Sequence, residues 1–269
     1  MCIAAWIWQS HPSYQFILLL NRDEFHERPT RPMKWWGEGE EDILGGRDEL
    51  GGGTWLGCTR GGRIAFLTNV REPPELRFSG AKSRGHLPVK FLKSKQSPME
   101  FAEEIVKEAD TYSPFNLVVA DLCSKTMVFI SNQPEGKPTI QTVNPGIHVL
   151  SNASLDSPWP KSERLRSKVE EFLKTQGDEE IPLKEMVGEL MEDKVKADRD
   201  MLPITGCNPE WEYALSSIYI DLDTEWGHYG TRSMSGIAVK ADNGVVFYER
   251  YIENSTWKER LVQFQIDEL

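Results

Sequence analysis

Apolar positions set the outline of this chain. Residues 3–8 (IAAWIW) alternate, and residues 14–20 (YQFILLL) form a short apolar run of the kind buried on both faces, so both read as strands. His11-Pro12-Ser13 turns between them. From 23 to 53 the pattern dissolves into Pro, Gly and charge, and the Arg28-Pro29 and Arg31-Pro32 pairs exclude helix around them. A long loop is expected there, of a length that usually accompanies a site. Strands resume at 54–59 and 63–70, with Arg60-Gly61-Gly62 as the hairpin turn.

The period then changes. Ser97-Pro98-Met99-Glu100 is a capping box with proline at the first helical position, and Phe101, Ala102, Ile105, Val106 and Ala109 supply the apolar face of a helix ending before Ser113-Pro114. Strands are expected at 115–122, 126–131, 139–143 and 147–152. A second helix starts near Lys161 with the stripe Leu165, Val169, Phe172 and Leu173, and a third carries Leu183, Met186, Val187, Leu190 and Met191. Strands return at 216–221, 233–240 and 245–252, the last pair joined through Asp242-Asn243-Gly244. Many strands with a middle block of helices, and sheets apolar on both faces, predict two stacked sheets between helices in one α+β domain over 1–269.

Charge narrows the partners. Against 42 acidic residues stand 31 basic ones, and a net charge of -11 repels phosphate backbones and anionic headgroups, so nucleic acid is excluded as a partner. The longest apolar stretch, 16–20, is too short to span a bilayer, and the start lacks a signal-peptide pattern. The expectation is a soluble cytoplasmic chain without integral membrane association. Cys2, Cys58, Cys123 and Cys207 form no CxxC pair, and the five histidines show no HxH or HxxxH spacing, so no metal site is expected and no cofactor is required.

Cys2 carries the candidate chemistry. A cysteine in second position becomes the first residue once Met1 is removed. Its α-amine, with a reference pKa near 8, then lies beside a thiol of reference pKa near 8.5, so one residue supplies nucleophile and base. Asn21-Arg22-Asp23-Glu24 ends the second buried strand, where charges are costly unless they are paired or functional.

Met-Cys-Ile at the start, Asn21-Arg22-Asp23-Glu24, Gly52-Gly53-Thr54-Trp55-Leu56-Gly57, Leu67-Thr68-Asn69, Leu150-Ser151-Asn152-Ala153 and Gly230-Thr231-Arg232-Ser233 occur in order. Together they resemble the Transport and Golgi organisation 2 family, also called the NRDE family, over nearly the whole chain. That family is similar to N-terminal-nucleophile hydrolases of the choloylglycine and penicillin-V-acylase type, which implies a four-layer αββα sandwich. The resemblance makes Cys2 the nucleophile, Arg22 the cation beside it, Asn69 and Asn152 donors flanking the oxyanion, and Arg232 the second cation. The acylases keep an aspartate three residues after the arginine, where this chain has Phe25; its candidate acids are Asp23 and Glu24, and alternation puts Asp23 on the opposite face from Arg22.

Two functions follow from the resemblance. One is an amidase or acyl transferase acting through Cys2 on a small-molecule amide. The other is a carrier or organiser on the same fold, with haem or an acyl lipid as bound cargo, peripheral to Golgi or mitochondria. For haem the sequence has no CxxCH, leaving His148, His228 or Cys2 as axial candidates. Three further expectations are that Cys2, Arg22, Asn69, Asn152 and Arg232 meet at one end of the sheets, that the two arginines lower the Cys2 pKa, and that Met1 is absent from the functional protein.

Overall fold

A computed structural model describes residues 2–37, 42–73, 80–134, 137–177 and 179–267. Its first two strands, β1 (Cys2–Trp8) and β2 (Tyr14–Phe25), show why the opening segment is apolar at every position. Ala4, Trp6, Trp8, Phe16, Leu18 and Leu20 face one core, while Ile3, Ala5, Ile7, Ile17 and Leu19 face another. Both faces of the hairpin are therefore covered, and each buried large side chain contributes about 1.5–3 kcal/mol.

Two antiparallel seven-stranded sheets build the molecule. The second contains β3 (Thr30–Trp35), β4 (Ile43–Asp48), β5 (Leu56–Thr59), β6 (Arg63–Asn69), β7 (Phe115–Asp121), β8 (Thr126–Ser131) and β9 (Thr139–Thr142), paired in chain order. The first runs β10-β1-β2-β12-β13-β14, with β11 against β12. Its later strands are β10 (Gly146–Leu150), β11 (Asp221–Thr224), β12 (Gly227–Lys240), β13 (Gly244–Glu253) and β14 (Thr256–Gln265).

Three apolar clusters define four layers. Trp6, Phe16, Phe66, Phe129, Ile237 and Phe247 belong to the core between the sheets. The outer face of the first sheet packs on α3 (Pro160–Gln176) and α4 (Leu183–Met191), through Leu165, Val169, Met186 and Leu190. The outer face of the second packs on α1 (His86–Lys93) and α2 (Pro98–Ile105), through Leu87, Phe91, Phe101 and Ile105. The fold is thus the αββα sandwich that the sequence predicts. No helix of the described residues is long and apolar enough to cross a membrane.

The 23–53 segment differs from its expectation as a loop. β2 continues to Phe25, and β3 and β4 follow. Pro32 is accommodated because β3 is an edge strand and the register slips between Arg31 and Lys34. Residues 38–41 lie outside those described. The capping box opens α2 as expected, but the helix passes into a 3-10 segment at Val106–Thr111. Of 216–221 only Asp221 is in a strand, and a short helix, α5 (Pro209–Ala214), precedes it. Neither α1 nor β14 is expected from the periodicity.

Candidate functional site

β1 is the second strand of its sheet, flanked by β10 and β2, and its pairing register puts Cys2 opposite Arg22. Arg22 in turn faces Ser233 of β12, which faces Tyr251 of β13. Alternation places Cys2 on the same face as Ala4 and Trp6, toward the gap between the sheets.

The Arg22 guanidinium is already engaged. Nη2 bonds Asp48 Oδ2 at 2.9 Å, Nη1 donates to Thr30 Oγ1 at 3.1 Å, and the Trp55 ring lies 4.3 Å away under the charge. Asp48 also takes Arg28 Nε at 2.5 Å. Arg232 Nη1 reaches the same Thr30 hydroxyl at 3.3 Å and holds the carbonyls of Phe25 and Arg28, which ties it to the turn after β2. Burial, followed by the like charge of Arg22, brings the Arg232 pKa down to about 10. Glu24 sits on the rim, 3.8 Å from Arg28 Nε.

Cys2 is 7% exposed, and its burial raises the thiol pKa; the Asp23 carboxylate adds to the rise, while Arg22 and the Asp23 backbone amide oppose it. The expectation of a lowered pKa is therefore overturned. Desolvation outweighs an arginine whose charge is shared with Asp48 and Trp55. Met1 lies outside the described residues.

Asp23 projects to the other face of β2, as alternation requires. It is buried, accepts the Thr231 hydroxyl at 2.7 Å, and has a pKa raised by burial against the pull of Lys161, Thr231 and Arg71.

The two asparagines meet across the sandwich. Asn152 Nδ2 donates to Asn69 O at 2.9 Å and to Asn69 Oδ1 at 3.2 Å, so both its amide hydrogens are committed. Asn69 Nδ2 makes no hydrogen bond among the described residues. Asn152 Oδ1 accepts from Ser151 Oγ at 3.2 Å and from Lys161 Nζ at 3.4 Å, and Ser151 Oγ also reaches Cys2 O at 3.5 Å. These contacts join the Cys2 carbonyl to Asn152 and Asn69 on one side; on the other, strand pairing sets Cys2 opposite Arg22, and Arg22 and Arg232 share the Thr30 hydroxyl.

Four charged groups here escape the sequence reading. Lys161, 4% exposed, gives its ammonium to Leu215 O at 3.2 Å; burial and then Arg71 bring its pKa down to about 8, with Asp23, Glu212 and Cys2 opposing. Arg71 follows the Leu67-Thr68-Asn69 stretch by two positions and lies 3.6 Å from Glu212. Glu249 faces the recess that holds Arg22 and Ser233, accepts Met33 N at 2.6 Å, and is raised by burial to about 7. The sequence does mark Glu249 as a lone acid on the face of Val245, Phe247 and Tyr251; nothing in local spacing marks Lys161, Arg71 or Glu212. As for axial candidates, His148 has both ring nitrogens engaged, with Asp156 Oδ2 and Asn144 O, each at 2.8 Å.

Comparison with known proteins bears on identity. A family model described as Transport and Golgi organisation 2 matches residues 1–254. The chain is 32% identical over 282 residues to a Bos taurus protein named Transport and Golgi organization protein 2 homolog, covering 99% of each. The Homo sapiens protein of the same name is 32% identical over 283 residues, again with 99% of each covered. Drosophila melanogaster Transport and Golgi organization protein 2 is 27% identical over 267 residues, covering 93% of this chain and 91% of that one. Among solved structures, a Caenorhabditis elegans N-acylethanolamine-hydrolyzing acid amidase ortholog is similar with a TM-score of 0.44 and 17% identity, over 69% of this chain and 84% of that one.

Proposed function

The chain belongs to the Transport and Golgi organisation 2 family, and from that premise we propose that Cys2 is a nucleophile toward the acyl carbon of a small-molecule amide. The observation that carries the reading is the contact chain from the Cys2 backbone carbonyl through Ser151 and Asn152 to Asn69, which sets the asparagines beside the residue that bears the thiol. With Met1 removed, the Cys2 α-amine takes the thiol proton and the sulphur attacks the carbonyl. The oxygen, now negative, accepts from Asn69 Nδ2, which Asn152 holds in place and Lys161 steadies through Asn152 Oδ1. Arg22, across the strand pair, offsets part of the desolvation that disfavours the thiolate. The C–N bond then breaks as the α-ammonium returns its proton to the leaving amine. Water cleaves the thioester and restores the thiol.

A second reading, a non-catalytic carrier of haem or an acyl lipid, is supported by the burial and raised pKa of the Cys2 thiol. In either case the protein acts in the cytoplasm, in the Golgi-related process for which its relatives are named.

Intact-mass analysis separates the two. The chain lacking Met1 is incubated with p-nitrophenyl butyrate, beside Cys2→Ala, which retains Cys58, Cys123 and Cys207. The nucleophile reading expects one butyryl group on Cys2, a burst of p-nitrophenol and neither in the variant. No adduct and no burst would sink it and leave the carrier.

A further inference from the structure

Beyond Cys2, a narrow cleft at the start of α3 is lined by Arg71, Trp159, Lys161, Leu202, Glu212 and Leu215. The Arg71 side chain is 5% exposed, yet neither Nε nor Nη1 hydrogen-bonds any described residue; Glu212, 3.6 Å from Nε, is a charge partner beyond hydrogen-bond reach. Glu212 instead accepts the Thr205 hydroxyl at 2.5 Å. Buried guanidinium donors are almost always bonded, so these two point to an absent acceptor. Two further features favour an anion there. Lys161 brings a second buried cation to the same cleft. The 17-residue helix α3 begins at Pro160 with no side chain capping it, so its positive end faces the same space.

The geometry points to a carboxylate-binding site in which Arg71 and Lys161 hold the head of a ligand whose apolar remainder lies along Trp159, Leu202 and Leu215. A monoanion suits the site better than a phosphate dianion, because Asp23 and Glu212 act electrostatically on the same cations. The inference does not rest on Cys2 being a nucleophile, since it concerns binding alone.

Calorimetric titration of the full chain with sodium hexanoate tests it, with 1-hexanol as the uncharged counterpart. Wild type is expected to bind hexanoate at least about tenfold more tightly than hexanol, the scale of one charge-assisted hydrogen bond. Arg71→Gln should erase that preference while leaving hexanol unchanged. Glu212→Gln, which removes the competing carboxylate, should tighten hexanoate several-fold, an effect that a purely structural Arg71–Glu212 pair would not give, and which remains readable if Arg71→Gln fails to fold. Equal affinity of wild type for hexanoate and hexanol, or no tightening in Glu212→Gln, would overturn the site.

Discussion

At the scale of single residues, desolvation decides more than proximity. Arg22 stands directly opposite Cys2, and residue types alone argue for a stabilised thiolate, but the thiol titrates high because burial removes water while Asp48 and Trp55 share the guanidinium. Glu249 obeys the same rule and gives a measurable consequence. Its folded pKa, about 7, lies above the ordinary 4.5, so between those values the folded state holds more protons than the unfolded one. Unfolding free energy therefore falls as pH rises through that window. Glu249→Gln keeps an acceptor for Met33 N–H and loses the charge. It is expected to match the parent at pH 4 and to exceed it at pH 8 by about 1–3 kcal/mol in urea unfolding. Identical pH profiles would mean that Glu249 ionises freely in the folded protein.

Among elements, α2 gives the plainest test of local signals. Ser97 Oγ accepts Glu100 N at 3.3 Å while Glu100 Oε2 accepts Ser97 N at 2.9 Å, so Ser97→Ala should cost about 1 kcal/mol and speed amide exchange within Pro98–Ile105 first. A change in exchange spread evenly over the molecule would argue against a capping effect. The same kind of signal made most strands legible, because two-sided burial leaves long apolar runs such as YQFILLL. It failed where glycine serves approach rather than turning. Gly45 and Gly46 look like breakers, yet they lie within β4: a Cβ on Gly45 would sit 2.5 Å from Leu56 O, and one on Gly46 2.3 Å from the Trp55 ring. Gly45 thus admits the backbone of β5, and Gly46 admits the Trp55 ring that covers Arg22. Edge strands failed differently. β14 alternates weakly and carries Lys258, Glu259 and Arg260, charges that a solvent-facing edge requires and that a periodicity reading takes for loop.

For the whole molecule, the sheets are two constructions of different kinds. The candidate residues quoted from sequence fragments could be gathered because those fragments resemble a family; Arg71, Lys161 and Glu212 could not, since their meeting depends on where α3 and α5 pack against strand ends. β14 tests the assembly as a unit. Its Val262 and Phe264 pack on the inter-sheet core and Trp257 on the helix side, so ending the chain at Glu253 uncovers both cores and the full edge of β13. The shortened chain is expected to elute as aggregates in size-exclusion chromatography where the parent gives one discrete peak; a single peak melting with the parent would show β14 to be dispensable. Strand order also sets a timetable. β3 to β9 pair in the order in which they are synthesised, so the second sheet can close as its residues emerge. The β1–β2 hairpin precedes both of its neighbours by a long stretch of chain: one side waits for β10, the other for Gly227–Lys240. During that interval the segment bearing Cys2 is an apolar hairpin with two open edges, so the wait for β12 is the period in which this protein most depends on chaperones.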